Sequence, residues 1–365
     1  MTCLPLDIIN LIIDEIDDAI TLQATSVVCK SLVDVSQRRL FRSVTISRAA
    51  GVGDMLKSNK RIAELVQTLR LFPRPDHMDI LAVCTGLRAL TLEYINSETI
   101  NPFTPTLPSH IQSLRLGRCR FGSYGLFSTF IRANSHLRRL VMDDCDVFQG
   151  GGSEEPLKSQ LALQILVVSR TRNHLASTSL FAPFHLDRVS ELSITLSSTN
   201  DVALLHQVLC EAGLRLITMR ITISRHEDSF IDGVCECLST ASKSSLRDVT
   251  LIISDSRHWN LSIALPTVIV NALSTPGIER IALNIWPAFS FFLLDSTELE
   301  DWEALDSALA STDRFPSLKE VSVFRVTCEK AMVHPHLSRY LPRCATQGIL
   351  LSKSQYVKLD MNGDW

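Results

Sequence analysis

The chain has 365 residues, of which 45% are hydrophobic, and a formal net charge of −3 at pH 7. This length suffices for more than one domain or for an extended repeat array, and the apolar fraction excludes a disordered chain. The slight acidic excess disfavours a nucleic-acid-binding protein, which needs a basic surface.

The N-terminal segment predicts three short helices. Pro5 can open the first helix, because its missing N–H falls where a helix has no partner for one. Isoleucines then recur at helical spacing and form a wide apolar stripe: Ile8, Ile9, Ile12, Ile13 and Ile16. A second helix should run through Leu22, and a third from about Val27 to Arg39. Because three short helices bury little surface alone, this module must share its apolar faces with a partner.

This segment resembles the F-box, and the resemblance covers about residues 2–48. Besides acidic Asp7, the matching positions run from the first helix to the end of the third: Leu4, Pro5, Ile8, Ile9, Ile12, Ile13, Ile16, Leu22, Val28, Cys29, Lys30, Leu40 and Phe41. The family's third helix usually carries a Trp three residues after the Cys. Here that position is Leu32, which keeps the apolar character and loses the large ring.

The resemblance implies that the segment docks on a Skp adaptor and, through it, on the cullin of a ubiquitin ligase. By resemblance, the following positions contribute to the adaptor interface or its immediate support: Leu4, Pro5, Ile8, Ile9, Ile12, Leu22, Val28, Cys29 and Leu32. Some of the isoleucines must instead face the module's own core, and the stripe does not sort them. The alternative is that the segment is only an N-terminal helical cap on a larger fold.

The remainder of the chain repeats the pattern apolar-x-x-apolar-x-apolar ten times. Its first positions are Val66, Leu87, Ile111, Leu137, Leu163, Val189, Leu214, Leu246, Ile278 and Leu318. The copies are 21 residues apart at first, 24 to 26 apart from Leu87 to Leu214, and 32 to 40 apart thereafter. Two copies place a cysteine at the ninth position, Cys119 or Cys145, and an apolar residue two places later. These copies resemble the leucine-rich repeat.

Each copy predicts a short strand, because alternate residues such as Leu114 and Leu116 point to one face. Helical patterns lie between the strands, over residues 201–212 before Gly213, over 262–273, and after the capping-box pair Thr297 and Glu300. Such units predict parallel strands in one curved sheet, with Leu114, Leu140, Leu166 and Leu192 in one interior row. The predicted fold class is α/β: a three-helix F-box over residues 1–48, then a leucine-rich-repeat-like solenoid over 49–365.

A repeat array presents the outward residues of its sheet to a partner. The candidate target-binding residues alternate with the inward positions: Arg70, Phe72, Glu93, Arg115, Arg139, Asp143, Glu191, Arg220, Asp248, Arg280 and Glu320. Their charges alternate in sign and favour neither an acidic nor a basic ligand. At least half of them are expected to be solvated strand residues, since binding hot spots are few.

The ten cysteines lack paired or metal-ligand spacing. Cys235 and Cys237, one residue apart on a predicted helix, point to different sides and suit zinc poorly. No basic, apolar leader precedes them, so reduced thiols in the cytoplasm or nucleus are expected, with Cys119 and Cys145 buried and inert. The longest apolar run, residues 281–294, is too short to span a bilayer, and no membrane partner is expected.

No P-loop, metal set or nucleophile–base pair is recognisable, so neither an enzymatic activity nor a cofactor is expected. The sequence therefore predicts a substrate-recognition subunit of a Skp–cullin–F-box ubiquitin ligase, which holds a target protein that the sequence does not identify. Two alternatives stay open: a repeat-based interaction scaffold without a ligase connection, and an enzyme that uses a cleft of the sheet. Co-purification with the Skp adaptor separates the receptor from both.

Overall fold

The structure, a computed structural model, describes residues 5–46, 51–72, 78–96, 108, 110–148, 161–173, 184–224, 227–240, 245–254, 264–273, 275–286, 296–326, 331–333 and 337–351. The chain divides into two compact units. The first consists of Met1–Leu161 with Thr171–Ser177, and the second of Ala162–Arg170 with Thr178–Trp365. Both units are mixed α/β structures in which the principal strands are parallel.

Helices and strands alternate along most of the chain. In chain order the elements are α1 (Leu6–Asp14), α2 (Ala19–Ser26), α3 (Lys30–Phe41), β1 (Ser43–Ile46), α4 (Val52–Ser58), α5 (Lys60–Leu65), β2 (Thr68–Leu71), α6 (Met78–Val83), β3 (Ala89–Glu93), β4 (Ser113–Gly117), β5 (Arg120–Phe121), α7 (Tyr124–Arg132), β6 (Arg139–Asp143), β7 (Asp146–Val147), β8 (Leu161–Ala162), β9 (Ile165–Ser169), β10 (Arg172–Asn173), β11 (Phe184–His185), β12 (Glu191–Leu196), α8 (Thr199–Ala212), β13 (Thr218–Ile223), α9 (Asp228–Thr240), β14 (Asp248–Ser254), α10 (Ala264–Ala272), β15 (Arg280–Trp286), α11 (Ser296–Leu309), β16 (Glu320–Val326), β17 (Ala331–Val333), α12 (Leu337–Tyr340) and α13 (Pro342–Thr346).

The three N-terminal helices are present as predicted, with one shifted boundary. Helix α2 begins where the Asp18 carboxylate accepts a hydrogen bond from the Thr21 backbone N–H at 2.7 Å and satisfies a donor that has no partner within the helix. Hydrogen bonds from the Thr21 side chain and backbone also lower the pKa of Asp18. Helix α3 begins at Lys30 rather than at Val27, because Val27 and Val28 belong to the turn that ends α2.

The first unit contains a run of five parallel strands, β1-β2-β3-β4-β6. Leu69, Leu90, Leu114 and Leu140 are Cα partners across these strands, and all are buried. The part of the predicted interior row that lies in this unit is therefore confirmed.

Strand β1 was missed by the sequence analysis. Phe41-x-x-Val44-x-Ile46 is an eleventh copy of the repeat pattern, but it lies within the segment that resembles the F-box. Val44 and Ile46 are buried and pair in register with Leu69 and Leu71 of β2. The first 48 residues thus include a strand of the sheet as well as the three helices.

The second unit contains the parallel run β9-β12-β13-β14-β15-β16. Leu166 and Leu192 are adjacent Cα partners in this run, as predicted. The prediction of a repeat copy at Leu214 is wrong, because Leu214 is 78% exposed while Leu216, Met219 and Ile221 are buried. The copy starts at Leu216, 27 residues after Val189 and 30 before Leu246.

The outer edge of β16 is covered by two further segments. Strand β17 pairs antiparallel with residues 324–326. Nearer the start of β16, the Val321 N–H donates to the Ile349 carbonyl at 2.8 Å, and the Leu351 N–H donates to the Val321 carbonyl at 2.9 Å. Together these two segments provide hydrogen-bond partners for much of an edge that would otherwise stay open.

The predicted helices of the second unit are observed, with small differences at their ends. Helix α8 starts from a capping box between Ser198 and Asp201 and ends at Ala212, just before Gly213. Gly213 has φ −14°, so it does not adopt the left-handed conformation expected of a glycine that follows a helix. Helix α11 begins at Ser296, one residue before the predicted cap.

Candidate partner-binding surfaces

Helix α1 presents two distinct apolar faces. Ile13 is 2% exposed and lies on the side that packs against α3, whereas Ile8 is 42% and Ile12 52% exposed. Ile9 and Ile16 are half-buried. The structure thereby sorts the isoleucines: Ile13 supports the module's own core, while Ile8 and Ile12 are available to a partner.

The exposed apolar surface extends from α1 to the turns around α2. Six large apolar side chains within residues 8–28 are exposed, which is an unusual concentration for so short a segment: Ile8, Leu11, Ile12, Ile20, Val27 and Val28. The three-helix module leaves these side chains uncovered by the described parts of the chain.

The other predicted adaptor-binding positions fall into different environments. Pro5 is exposed, and its carbonyl accepts from the Ile8 and Ile9 N–H groups. Leu22 is buried, so it can only support an interface, and Leu32 is half-buried. Leu4 lies outside the described residues.

Cys29, another of these positions, is exposed immediately before α3. A hydrogen bond with the Ser31 hydroxyl is the main cause that lowers the pKa of Cys29, with a smaller contribution from the backbone N–H of Leu32. The Cys29 thiol is therefore open to solvent and expected to ionise more readily than an ordinary cysteine.

A stack of two aromatic rings between two arginine side chains crosses the carboxyl ends of β2, β3 and β4. The Arg70 guanidinium lies 5.8 Å from the Phe72 ring, and the Phe72 and Tyr94 rings stack at 6.1 Å. On the other side, the Arg118 guanidinium lies 5.2 Å from the Tyr94 ring and donates to its hydroxyl. Such cation–π and ring contacts order long side chains at a surface. Two predicted positions, Arg70 and Phe72, therefore meet two residues that were not predicted.

A polar cavity of about 430 Å³ adjoins this stack. Its lining combines residues from three successive repeats: Tyr94, Ile95, Asn96, Arg118, Arg120, Asp144 and Asp146. Arg120 and Asp146 form an ion pair at 3.3 Å, and the hydrogen bond to Tyr94 raises the pKa of Arg118. Since two arginines and two aspartates line the cavity, their charges favour neither a cationic nor an anionic ligand.

Three of the residues that line this cavity share a repeat position that is not among the predicted binding positions. Tyr94, Arg118 and Asp144 each occupy the eighth place of their copy and have φ between 53° and 61°. This left-handed backbone conformation is uncommon for a residue other than glycine, and here it recurs at the place just after the strand in each of these copies. In the sequence, this position could have been found as the residue that directly precedes Cys119 and Cys145 in their repeats.

The remaining predicted target-binding residues lie on the outward face of their own unit. In the first unit, Arg70 forms an ion pair with Glu93, while Arg115, Arg139 and Asp143 are half-buried.

In the second unit, the register places Glu191, Asp248, Arg280 and Glu320 in one row across the strands. Arg280 and Asp248 form an ion pair, and Arg220 is half-buried on the next row. Burial lowers the pKa of the Arg220 guanidinium.

Cys119 and Cys145 are buried free thiols at equivalent places of adjacent repeats, as predicted. Cys119 donates to the Gly117 carbonyl at 3.3 Å, and Cys145 donates to the Leu116 carbonyl at 3.4 Å. Burial, with a smaller contribution from the adjoining Cys145, raises the pKa of Cys119 well above its usual range. Both thiols are therefore expected to be inert in the folded protein.

Thiol labelling should separate these cysteines from the exposed ones. Without denaturant, we expect a maleimide reagent to modify Cys29 and Cys210 rapidly, and Cys119 and Cys145 only after unfolding. Cys119→Asp should lower the free energy of unfolding by about 3 kcal/mol, and Cys119→Ala by about 1 kcal/mol, because only Asp introduces a charge into the apolar interior. Mass spectrometry of the labelled peptides measures the order in which the cysteines react. Rapid labelling of Cys119 and Cys145 in the native protein would contradict the repeat register.

Within the described ranges, no three His, Cys, Asp or Glu side chains are grouped so as to hold a metal ion. Cys235 and Cys237 both lie on α9 as predicted, Cys237 buried and Cys235 half-buried. No described helix has the length and apolar character needed to cross a bilayer.

A scan against protein-family models gives no match for this chain, and a comparison with curated proteins finds no significant similarity.

Proposed function

We propose that the chain is the substrate-recognition subunit of a Skp–cullin–F-box ubiquitin ligase. The observation that carries the proposal is the exposed apolar face of α1, with Ile8, Leu11 and Ile12, within a segment whose residues resemble the F-box. An apolar surface of this kind on a three-helix module favours a protein partner over solvent. The proposed partner is the Skp adaptor and, through it, the cullin.

In this proposal the three helices form an F-box and the repeats form a leucine-rich-repeat-like solenoid that holds the target protein. The supporting observations are the parallel, in-register strands of each unit and the buried cysteines at the ninth place of two copies. Candidate contacts for the target are the outward strand residues and the stack of Arg70, Phe72, Tyr94 and Arg118.

The receptor itself performs no bond chemistry in this proposal. It raises the effective concentration of target lysines near the conjugating enzyme, which belongs to another subunit. The receptor is expected to act in the cytoplasm, the nucleus or both, and to need no cofactor.

Co-expression of the full chain with a tagged Skp adaptor tests the proposal. A receptor should co-purify with the adaptor in equal amounts and remain bound during gel filtration. If the folded chain does not bind the adaptor, the alternative of a repeat scaffold with a helical cap is favoured instead.

Leu32 provides a second, graded test. It is half-buried on α3, at the place where the F-box family often has Trp. We expect Leu32→Trp to strengthen adaptor binding by about tenfold, because a large ring adds apolar contact area to the interface. Calorimetric titration of both proteins with the adaptor measures the change, and Leu32→Met serves as the control of similar size. If Leu32→Trp destroys binding while the protein stays folded, α3 is wrongly aligned with the family.

A further inference from the structure

A row of arginines lies at the amino ends of the strands in the first unit. The residue just before each strand occupies the second place of the repeat pattern. From β1 to β6 these residues are Arg42, Gln67, Arg88, Gln112 and Arg138. We call this set the arginine row; its three arginines are exposed, and none was among the predicted target-binding positions.

The backbone holds the arginine row at a regular spacing. The carbonyls of the first four residues of the row each accept two N–H groups from the next repeat; for example, the Gln67 carbonyl accepts from Arg88 at 2.8 Å and from Ala89 at 2.9 Å. The same doubled hydrogen bond joins Arg42 to Gln67 and Gln112 to Arg138. Because neighbouring strands lie about 4.8 Å apart, arginines on alternate strands recur about every 10 Å.

In the second unit, charged side chains at the same repeat position form ion pairs with one another. There the row contains Arg247, Glu279 and Lys319 on successive strands. Glu279 forms ion pairs with Arg247 at 3.8 Å and with Lys319 at 2.8 Å. These contacts show that side chains at this place on neighbouring strands can reach one another.

In the first unit, neutral glutamines separate the arginines. Arg42, Arg88 and Arg138 therefore have no carboxylate beside them in the row, and none of the described acidic side chains forms an ion pair with them. Three exposed arginines at a regular backbone spacing, which form no ion pair with the described acidic side chains, are available to an external anion.

We propose that the arginine row binds an extended acidic segment of the target protein, with Asp or Glu at every third residue. An extended chain in the polyproline II conformation has three residues per turn and advances about 3.1 Å per residue, so every third side chain lies on the same side and recurs about every 9 Å, close to the arginine spacing. The amides of Gln67 and Gln112 lie between the arginines, where they can bond to the backbone of the bound segment. This inference rests on the proposed function, whose target it describes.

A nucleic acid fits the row less well. The whole chain has a net charge of −3, and the row contains no aromatic side chain on which a base could stack. The aromatic pair Phe72 and Tyr94 lies at the opposite ends of the strands and is stacked with Arg70 and Arg118.

The test uses the full chain and a fluorescein-labelled peptide with Glu at every third position and Gly and Ser between. We expect saturable binding by fluorescence anisotropy that weakens steeply with salt. The triple variant Arg42→Gln, Arg88→Gln, Arg138→Gln should weaken binding by about a hundredfold, since it removes three charge-assisted contacts. The control Arg188→Gln, Arg215→Gln, Arg247→Gln, which changes the net charge equally on exposed residues of the second unit, should bind as the wild type does.

Further ligands decide between the possible sources of negative charge. A peptide with the same Glu residues in one block should bind at least about tenfold more weakly, because only one arginine at a time can be engaged. Equal loss in both triple variants, equal binding of the block peptide, tighter binding of single-stranded oligouridylate, or binding of a serine-phosphate peptide alone would each overturn the proposal. Adaptor co-purification of the triple variant is measured separately: if it is retained while the peptide fails to bind wild type, the inference fails and the proposed function stands.

Discussion

Replacing Ile8 and Ile12 with Asp should abolish co-purification of the chain with the Skp adaptor. Both side chains are about half exposed, so the substitutions place two carboxylates in solvent when the protein is free and cost little stability. In the complex, the same carboxylates would be buried in an apolar interface without partners, which costs several kcal/mol. Since each 1.4 kcal/mol is a factor of ten, we expect at least about a hundredfold loss of affinity.

The matched control is Leu214→Asp with Ile217→Asp. These apolar residues are also exposed, but they lie in the second unit, in the connection between α8 and β13. The control should co-purify with the adaptor as the wild type does, and circular dichroism with thermal melting should show that both double variants are folded. Undiminished adaptor binding by the folded Ile8 and Ile12 variant would refute the assignment of the F-box face.

Replacing Asp306 with Ala should detach the C-terminal helices from α11. Asp306 is 1% exposed, and its carboxylate accepts from the backbone N–H groups of Arg343 at 2.8 Å and Cys344 at 3.0 Å. It thereby caps α13, whose first residue, Pro342, has no N–H to satisfy. Leaving these two N–H groups, one buried and one partly buried, without an acceptor should lower the free energy of unfolding by about 3 kcal/mol.

Urea denaturation measures this loss, and hydrogen exchange locates it. Residues 349–351, which follow α13 and pair with Val321, should exchange faster in the Ala variant. Asp306→Asn keeps one acceptor oxygen and should lose about half as much stability, while Asp313→Ala, at an exposed position, should lose almost none. If Asp306→Ala and Asp313→Ala unfold at the same urea concentration, the cap does not stabilise the fold.

Much of the sheet could be predicted because each repeat buries two alternate side chains. Leu114 with Leu116, for example, leaves a period-two signal that no helix reproduces. At Leu214 the pattern was ambiguous, because it also fits two residues later, at Leu216. Only burial distinguishes the two registers, and burial depends on the neighbouring strands.

Less of the binding surfaces could be predicted, for two different physical reasons. Which isoleucine of α1 is exposed depends on how the helix packs against α3. The apolar stripe includes Ile8, Ile12 and Ile13 alike, so it does not indicate which side of the helix faces α3. The position of Tyr94 and Arg118 depends on a left-handed residue after each strand, which sequence periodicity does not report. The arginines that precede the strands can be read from the sequence. Their alignment in one row follows only from the register of the strands.

The closed edge of β16 limits how this architecture can grow. A parallel sheet of repeats offers the same template at every step, so a duplicated repeat could in principle be added to its last strand. Here the reversed strand β17 and the short pairing at Val321 already occupy that template. A repeat duplicated after β16 would therefore have to displace these segments, and the same segments block the strand of a second molecule from pairing with the covered part of this edge.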